Sequence, residues 1–377
     1  MSESSALLMA TVVIALFALL LSSSAINVSA AATMLSLPPR DKYPQIISHR
    51  GASGYIPEHS LAAYRAAMDM STDYIEPDLC ISLDGVFVAL HDLLLDDTTN
   101  VASFPEYASR KRTQVVDGKT LKGFFVNDFT VTELKTLRLN QRLSQRSQLY
   151  NGLLQIPTFD EIINLIRTQY NNTGIMYGMY PELKHPSYFN SLGYSMEDML
   201  LNQLSANGYI VRGPGTPNNL KQVVPVVVQC FETNTLITLR SKSDLPLILL
   251  IDKPYTNIRS YWNVEGLKNI STFANGVGPE KSFFENDSVQ VARQDIDMAH
   301  NANLYIHPWT FRADSDIGLK FNGSFDDEEL FFFCCLGMDG VFTEFPDRTR
   351  EAIDFYSNLT VPADVNDRTA CGKLQCS

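Results

Sequence analysis

The sequence predicts an α/β protein built as a single (β/α)8 TIM barrel, and three observations predict it. From residue 45 onward, nine short apolar runs alternate with helix-like stretches. One run, 86–91, follows its predecessor after only the turn pair Asp84-Gly85. A parallel neighbour needs a crossover of a dozen or so residues, so that run pairs antiparallel and stands outside the parallel count. Eight runs remain, each followed by helical sequence, as in a closed parallel barrel ringed by helices.

The first barrel strand is QIISH at 45–49, and a helix follows over 59–69, behind Pro57 and Glu58. The second is 74–80, where Pro77 lacks a ladder donor but points away, by alternation, from the face that Glu76 and Asp78 share. With Asp84 and Gly85 as the whole loop, the return run 86–91 sets Leu83 against Val86, Ile81 against Val88 and Asp78 against His91. The third strand, 176–183, starts about 95 residues after the second, too far for a bare loop. An inserted subdomain over roughly 93–156 is expected, with a helix at 131–138, and a further helix at 158–169 leads into the third strand. The basic run YASRKRTQ in the insert reads as a solvated face, and the insert is placed to cap a site. Strands at 224–231, 245–251, 275–279, 303–309 and 339–344 complete the barrel, with helices at 195–206, 233–241, 288–301, 326–336 and 348–357.

The densest chemistry lies between Ser48 and Asp92, in SHRGASGYIPEHS and YIEPDLCISLDGVFVALHD. His49 and His91 can pass protons near neutral pH. Glu76 and Asp78, two apart on a strand, face one way and can grip a hard cation together. Arg50 suits bidentate phosphate binding. A histidine pair, an oxygen-ligated metal and an arginine add up to phosphodiester chemistry.

These motifs resemble the glycerophosphodiester phosphodiesterase family, whose signature is the opening HRG, the E-x-D strand and the closing HD. PEHS looks like the longer secreted and periplasmic branch, and the resemblance is plant-like. It continues through NDFTVTELKTL (127–137), IPTFDEII (156–163), YPELKHP (180–186), VVVQCFE (226–232), GVGPEK (276–281), YIHPWTFRAD (305–314) and DGVFTEFPD (339–347), covering roughly residues 44–355. It implies the phospholipase-C-like barrel type, with Glu76, Asp78 and Glu182 as metal ligands and His49 and His91 as the acid-base pair. Arg50 and Lys184 match phosphate-contacting positions. Glu58 and Trp309 are substrate-binding candidates, Trp309 by stacking on a cationic head group. Glu344 stands where Asp is commoner in the family, and reads as a minor loop change. His59, His185, His300 and His307 are given no chemistry.

The implied reaction is hydrolysis of glycerophosphodiesters such as glycerophosphocholine or glycerophosphoethanolamine to sn-glycerol 3-phosphate and an alcohol. The resemblance implies attack by the glycerol's own neighbouring hydroxyl, through a cyclic phosphate. The oxygen ligands suit Ca2+ or Mg2+. Two alternatives stand beside it: a phospholipase-like enzyme acting on lipid or lysolipid, and a non-catalytic wall or binding protein on the same fold. The first wants apolar loops at the barrel mouth, and only the modest 260–267 and 282–287 qualify; the second predicts a lost histidine or carboxylate, and none is lost. A glycosidase reading leaves the histidine pair unexplained.

A net charge of −12 and a pI near 5.0 exclude a nucleic-acid partner, which needs a basic surface. A small anionic diester needs only a local positive site. Ala6 to Leu21 is apolar apart from Thr11 and is followed by small residues, so residues 1–30 read as a signal peptide, with no stable membrane span after cleavage. Five N-x-S/T acceptors, at Asn171, Asn269, Asn286, Asn322 and Asn358, favour the secretory route to vacuole or cell exterior. Of six cysteines, Cys371 and Cys376 in the tail 358–377 can close a short disulfide loop, while Cys80, Cys334 and Cys335 read as buried thiols. No spacing of Cys and His reads as zinc.

Overall fold

The computed structural model describes residues 44–212, 220–222, 224–252, 262–285 and 287–359. The expected signal peptide, Asn286 and the cysteines of the tail lie outside the described residues, as does the side chain of Asn358.

All eight predicted staves are present, and two of them are broken at proline. The second is split into Tyr74–Glu76 and Asp78–Ile81 around Pro77, the third into Gly178–Met179 and Glu182–Leu183 around Pro181. Neither proline can donate to the ladder, so strand pairing is interrupted there and resumes beyond it. Each proline still accepts, Pro77 from the Glu182 N–H at 2.9 Å and Pro181 from that of Gln229 at 3.0 Å. The barrel is thus two arcs. One runs Gly340–Thr343, Gln45–His49, Tyr74–Glu76, Gly178–Met179. The other runs Tyr305–Ile306, Gly276–Pro279, Leu247–Ile251, Val228–Cys230, Glu182–Leu183, Asp78–Ile81, with Phe87–Ala89 at its edge. All pairs among the staves are parallel. Backbone bonds link the last two staves and complete the circle: Asp339 N–H to Ile306 O (3.2 Å), Phe342 N–H to Pro308 O (3.0 Å) and Phe311 N–H to Phe342 O (2.8 Å).

The return strand is antiparallel, as its short turn requires, but the register differs from expectation. Leu79 opposes Ala89 and Ile81 opposes Phe87. The loop has three residues, Leu83 to Gly85, closed by the Ser82 N–H to Val86 O bond (3.0 Å), with Gly85 at φ 77°. A three-residue hairpin ending in a left-handed glycine shifts the pairing by one relative to a two-residue turn. Asp78 therefore faces Leu90, and His91 lies beyond the strand.

Several helices begin where side chains supply caps. Ser60 caps Leu61–Asp69, and capping boxes Thr130/Glu133 and Thr158/Glu161 open Val131–Leu134 and Phe159–Thr173. The expected 131–138 helix is this single turn, and the 326–336 helix is Phe325–Leu330 continued as a wider π-type turn over Phe331–Leu336. The connection 93–156 carries a hairpin, Arg112–Val116 with Lys119–Gly123. Its basic run is tied down by acids of the same segment: Arg110 to Glu133, Lys111 to Asp96 and Arg112 to Asp128. Asn171, Asn269 and Asn322 are exposed. Cys80 and Cys230 are free and buried. Cys334 and Cys335 are buried as expected but disulfide-bonded, so the free-thiol reading fails for them. Among the described residues no helix is long and apolar enough to cross a membrane.

Inside the barrel, Ile47, Tyr74, Tyr180, Val227, Ile248 and Phe342 form a packed plug beneath the strand ends. Tyr180 packs edge-on against Tyr74 and Phe342, and its hydroxyl meets His307 Nδ1 at 2.8 Å. Burial lowers the His307 pKa to about 4, so the ring is neutral at pH 7. Its Nε2 has no partner, which leaves Tyr180 as the group satisfying this buried ring. Replacing Tyr180 with Phe keeps the shape but orphans Nδ1, and stability should fall by about 1–3 kcal/mol. Denaturant unfolding of the two proteins measures it; an unchanged midpoint would refute the role given to this bond.

Candidate active site

The turn after the first strand sets the site's entry. Arg50 and Gly51 take positive φ, 61° and 85°, and a Cβ on Gly51 would lie 2.6 Å from the Ala63 carbonyl carbon. Only glycine lets the HRG turn lie on the Leu61–Asp69 helix. The turn is buried, and it aims the Arg50 guanidinium at Glu58 (2.8 Å) and Asp78 (3.3 Å). His49 opposes Glu76 in the parallel ladder, as Asp78 opposes Glu182 and Glu182 opposes Gln229. Register alone therefore gathers these groups at the carboxyl ends of four neighbouring staves.

Glu76, Asp78 and Glu182 are all buried, and each places one oxygen within 4.8 Å of the others. Glu76 accepts from the Arg50 backbone N–H (2.9 Å) and the Gln229 amide (3.0 Å). Asp78 Oδ2 lies 2.9 Å from His59 Nε2, while its Oδ1 has no hydrogen-bond partner. Lys184 Nζ sits 2.9 Å from Glu182 and 4.0 Å from Asp78. Burial and then the Asp78 charge push the Glu76 carboxyl well above its usual range. Burial also raises Glu182, to about 8, with Asp78 adding to the rise and Lys184 opposing it. Burial would raise Asp78 as well, but Lys184, His59 and Arg50 outweigh it and hold that group ionised. Three buried hard oxygens in mutual repulsion, one of them orphaned, fit a divalent cation of the hard class.

His49 is held between two charges. Its Nδ1 meets Glu344 Oε1 at 3.0 Å, and its Nε2 accepts from Arg50 Nε at 3.2 Å. The ring is therefore the Nδ1–H tautomer. Burial, then Arg50, lowers its pKa to about 3 against the pull of Glu344. His91 lies across the cleft with Nδ1 on Asp92 (2.9 Å); although a third of it is exposed, desolvation in the cleft, then Arg50 and Lys184, lowers it to about 4. Both rings are neutral at pH 7.

His49, His91, Glu76 and Glu182 line one cleft of about 650 Å3, with Arg50, Lys184, Phe231, Trp309 and Arg312 in its wall. Asp117, Lys119 and Arg142 of the long connection also line it, so that segment does cover the site. Trp309 forms wall and support together: its indole N–H donates to Gly278 O (2.7 Å) and its ring meets Phe231 edge-on at 6.0 Å. Glu58 does not reach the cleft. It is buried between Arg50 and Arg142 (2.7 Å), whose charges overcome burial and keep it ionised, so it anchors cations rather than substrate.

Two readings of the sequence need correction. Glu344 is no incidental loop residue: it is buried and joins His49, Arg146 (2.5 Å) and Arg312 (3.0 Å). His59, given no chemistry, supports Asp78 from behind, with Nδ1 on the Tyr64 hydroxyl at 2.8 Å. Its position directly before the helix cap Ser60 gave no hint of that. Gln229 inside VVVQCFE was the one signal available, a polar residue in an apolar strand.

The pattern of the glycerophosphoryl diester phosphodiesterase family matches residues 49–348. The chain is 35% identical to the glycerophosphodiester phosphodiesterase GDPD6 of Arabidopsis thaliana, over 82% of this chain and 85% of that one. It is 29% identical to a glycerophosphodiester phosphodiesterase of Haemophilus influenzae, over 80% and 87%. Among solved structures, an Oleispira antarctica phosphodiesterase in complex with the product sn-glycerol-3-phosphate superposes with a TM-score of 0.56 at 21% identity, over 83% of this chain and 97% of that one. The barrel is thus a shared fold, and the motifs from the HRG turn to the last strand run through the matched region: the chain belongs to the glycerophosphoryl diester phosphodiesterase family.

Proposed function

We propose that this protein hydrolyses small glycerophosphodiesters to sn-glycerol 3-phosphate and a free alcohol such as choline or ethanolamine. The observation that carries this reading is a cleft lined by two neutral histidines, Arg50 and Lys184 around three buried carboxylates. Glu76, Asp78 and Glu182 would hold a divalent cation, Ca2+ or Mg2+, which when bound neutralises a non-bridging phosphate oxygen and orients a glycerol hydroxyl. Arg50 and Lys184 supply the remaining positive charge for the phosphate. One histidine, neutral, takes the proton of the attacking hydroxyl on its Nε2; the other must first take up a proton from solvent on its Nε2, and as the imidazolium it gives that proton to the departing alcohol. His49 works through Nε2, because Nδ1 is committed to Glu344; His91 likewise has Nδ1 committed to Asp92. The polar groups Asp117, Lys119, His185 and Glu232 in the cleft wall suit a water-soluble diester better than an acyl chain. A secretory location is supported by the apolar N-terminus, the exposed acceptors at Asn171, Asn269 and Asn322, and the bonded Cys334 and Cys335.

The purified chain should hydrolyse glycerophosphocholine, lose that activity to chelator, and regain it with Ca2+ or Mg2+. Glu182→Ala should abolish it without unfolding the protein. Because burial holds the metal-free Glu182 carboxyl at about 8 and raises that of Glu76 as well, their protons compete with the cation, so metal affinity should rise with pH between 6 and 9. Calorimetric titration between pH 6 and 9 checks this; activity undiminished by chelator would remove the metal from the reading.

His49→Ala and His91→Ala should each lower kcat by ~100-fold or more with metal affinity little changed. The double variant should be scarcely worse than either single one, since groups acting in one step are non-additive. A His91→Ala enzyme with normal kcat but weak metal binding would make that residue a support for the metal instead.

Glycosidase treatment of the natural protein should lower its apparent mass. An unglycosylated product beginning at Met1 would overturn the secretory assignment.

A further inference from the structure

The long connection between the second and third staves does more than roof the cleft. Its segment 141–146 is docked on the HRG turn: the Gln141 amide and Arg146 Nη1 both donate to the Ser53 carbonyl, at 3.2 and 3.0 Å. Arg146 continues as a fork. Its Nε and Nη2 hold the two oxygens of Asp314 at 2.7 and 2.9 Å, and Nη2 also reaches Glu344 Oε2 at 2.5 Å. The other oxygen of Glu344, Oε1, is the one that meets His49 Nδ1 and Arg312 Nε, each at 3.0 Å. Arg146 is 7% exposed and is absent from the cleft wall, so it cannot touch a substrate seated there.

We propose that Arg146 is a positioning residue for His49, acting through Glu344. The inference rests on the reading of His49 as an acid-base group. A buried carboxylate turns toward whichever cations surround it. With Arg146 on Oε2 and Arg312 on Oε1, both oxygens of Glu344 are fixed, and Oε1 is left where the imidazole N–H must meet it. The ring is then locked as the Nδ1–H tautomer, with Nε2 directed to Arg50 and the cleft. Without Arg146 the Oε2 anchor is gone, Asp314 loses its two-pronged partner, and the carboxylate is free to swing to Arg312 alone. Arg312 cannot serve as the test, because it lines the cleft and can meet substrate directly. Lysine cannot replace the fork, since an ammonium has no planar pair of donors to span Asp314 and Glu344.

The test is a kinetic cycle on glycerophosphocholine with wild type, Arg146→Met, Glu344→Gln and the double variant, alongside Arg146→Lys. Nitrogen NMR of histidine-labelled, metal-loaded protein reads the His49 tautomer independently of turnover. Arg146→Met should lower kcat by about 10- to 100-fold, the usual range for residues that orient a functional ligand. KM should stay within about twofold, because binding contacts are untouched. The double variant should be no slower than Glu344→Gln, and the Nδ1–H signature of His49 should be lost or broadened. Additive effects in the cycle would overturn the proposal, as would a normal kcat with only a lower melting temperature. If Arg146→Met fails to fold, Arg146→Lys decides: an intermediate kcat with a disturbed His49 signal supports the link, and wild-type values for both refute it. A wild-type protein inactive on glycerophosphodiesters whose His49 signal still responds to Arg146→Met would sink the functional reading and leave the positioning link standing.

Discussion

Three carboxylates share one buried spot in this protein, and most of what surrounds them answers that constraint. At an effective dielectric of about 20, two charges 4.8 Å apart repel by on the order of 3 kcal/mol. Three such pairs would be a large fraction of a domain's net stability. The protein relieves the strain in two ways. Arg50, Lys184 and His59 are brought within 4 Å of Asp78, and Glu76 and Glu182 are pushed toward their protonated forms. Arg50 in turn is a buried cation, and it requires Glu58, which requires Arg142. The chain of compensation runs outward from the carboxylates until it reaches solvent.

The proline breaks belong to the same logic. Glu76 sits in one arc of the barrel, while Asp78 and Glu182 sit in the other. A ladder that ran straight through residue 77 would keep both acids of the second stave in one sheet. With Pro77 and Pro181 interrupting the pairing, the seam between arcs falls where the acids converge, and a carbonyl without an N–H partner on the same residue still anchors each crossing.

The parts legible in the sequence were those written locally. The eight staves, the antiparallel return and the carboxylates two apart follow from periodicity, turn residues and alternation within ten residues or so. Legibility ended wherever the partner was remote or the local rule had a near-degenerate alternative. A two-residue and a three-residue loop both fit Leu83-Asp84-Gly85, and the left-handed Gly85 chose the second, displacing His91 by one position. Arg146 and Glu344 look ordinary alone; nothing in either neighbourhood announces a contact across 198 positions. Cys334 and Cys335 sit in an apolar run that reads as buried, which they are, yet burial does not reveal bonding.

His49 is on the first strand and Glu344 just past the last, 295 positions apart. During synthesis, every carboxylate of the cluster has emerged by residue 182, and His91 well before that. The imidazole of His49 acquires its orienting partner only when the final strand is made and the circle joins. Chains cut short by truncation or stalled translation can therefore collect the acidic residues but not the imidazole held by Glu344. The site's geometry is completed only by the last step of barrel closure, when the final strand joins the first.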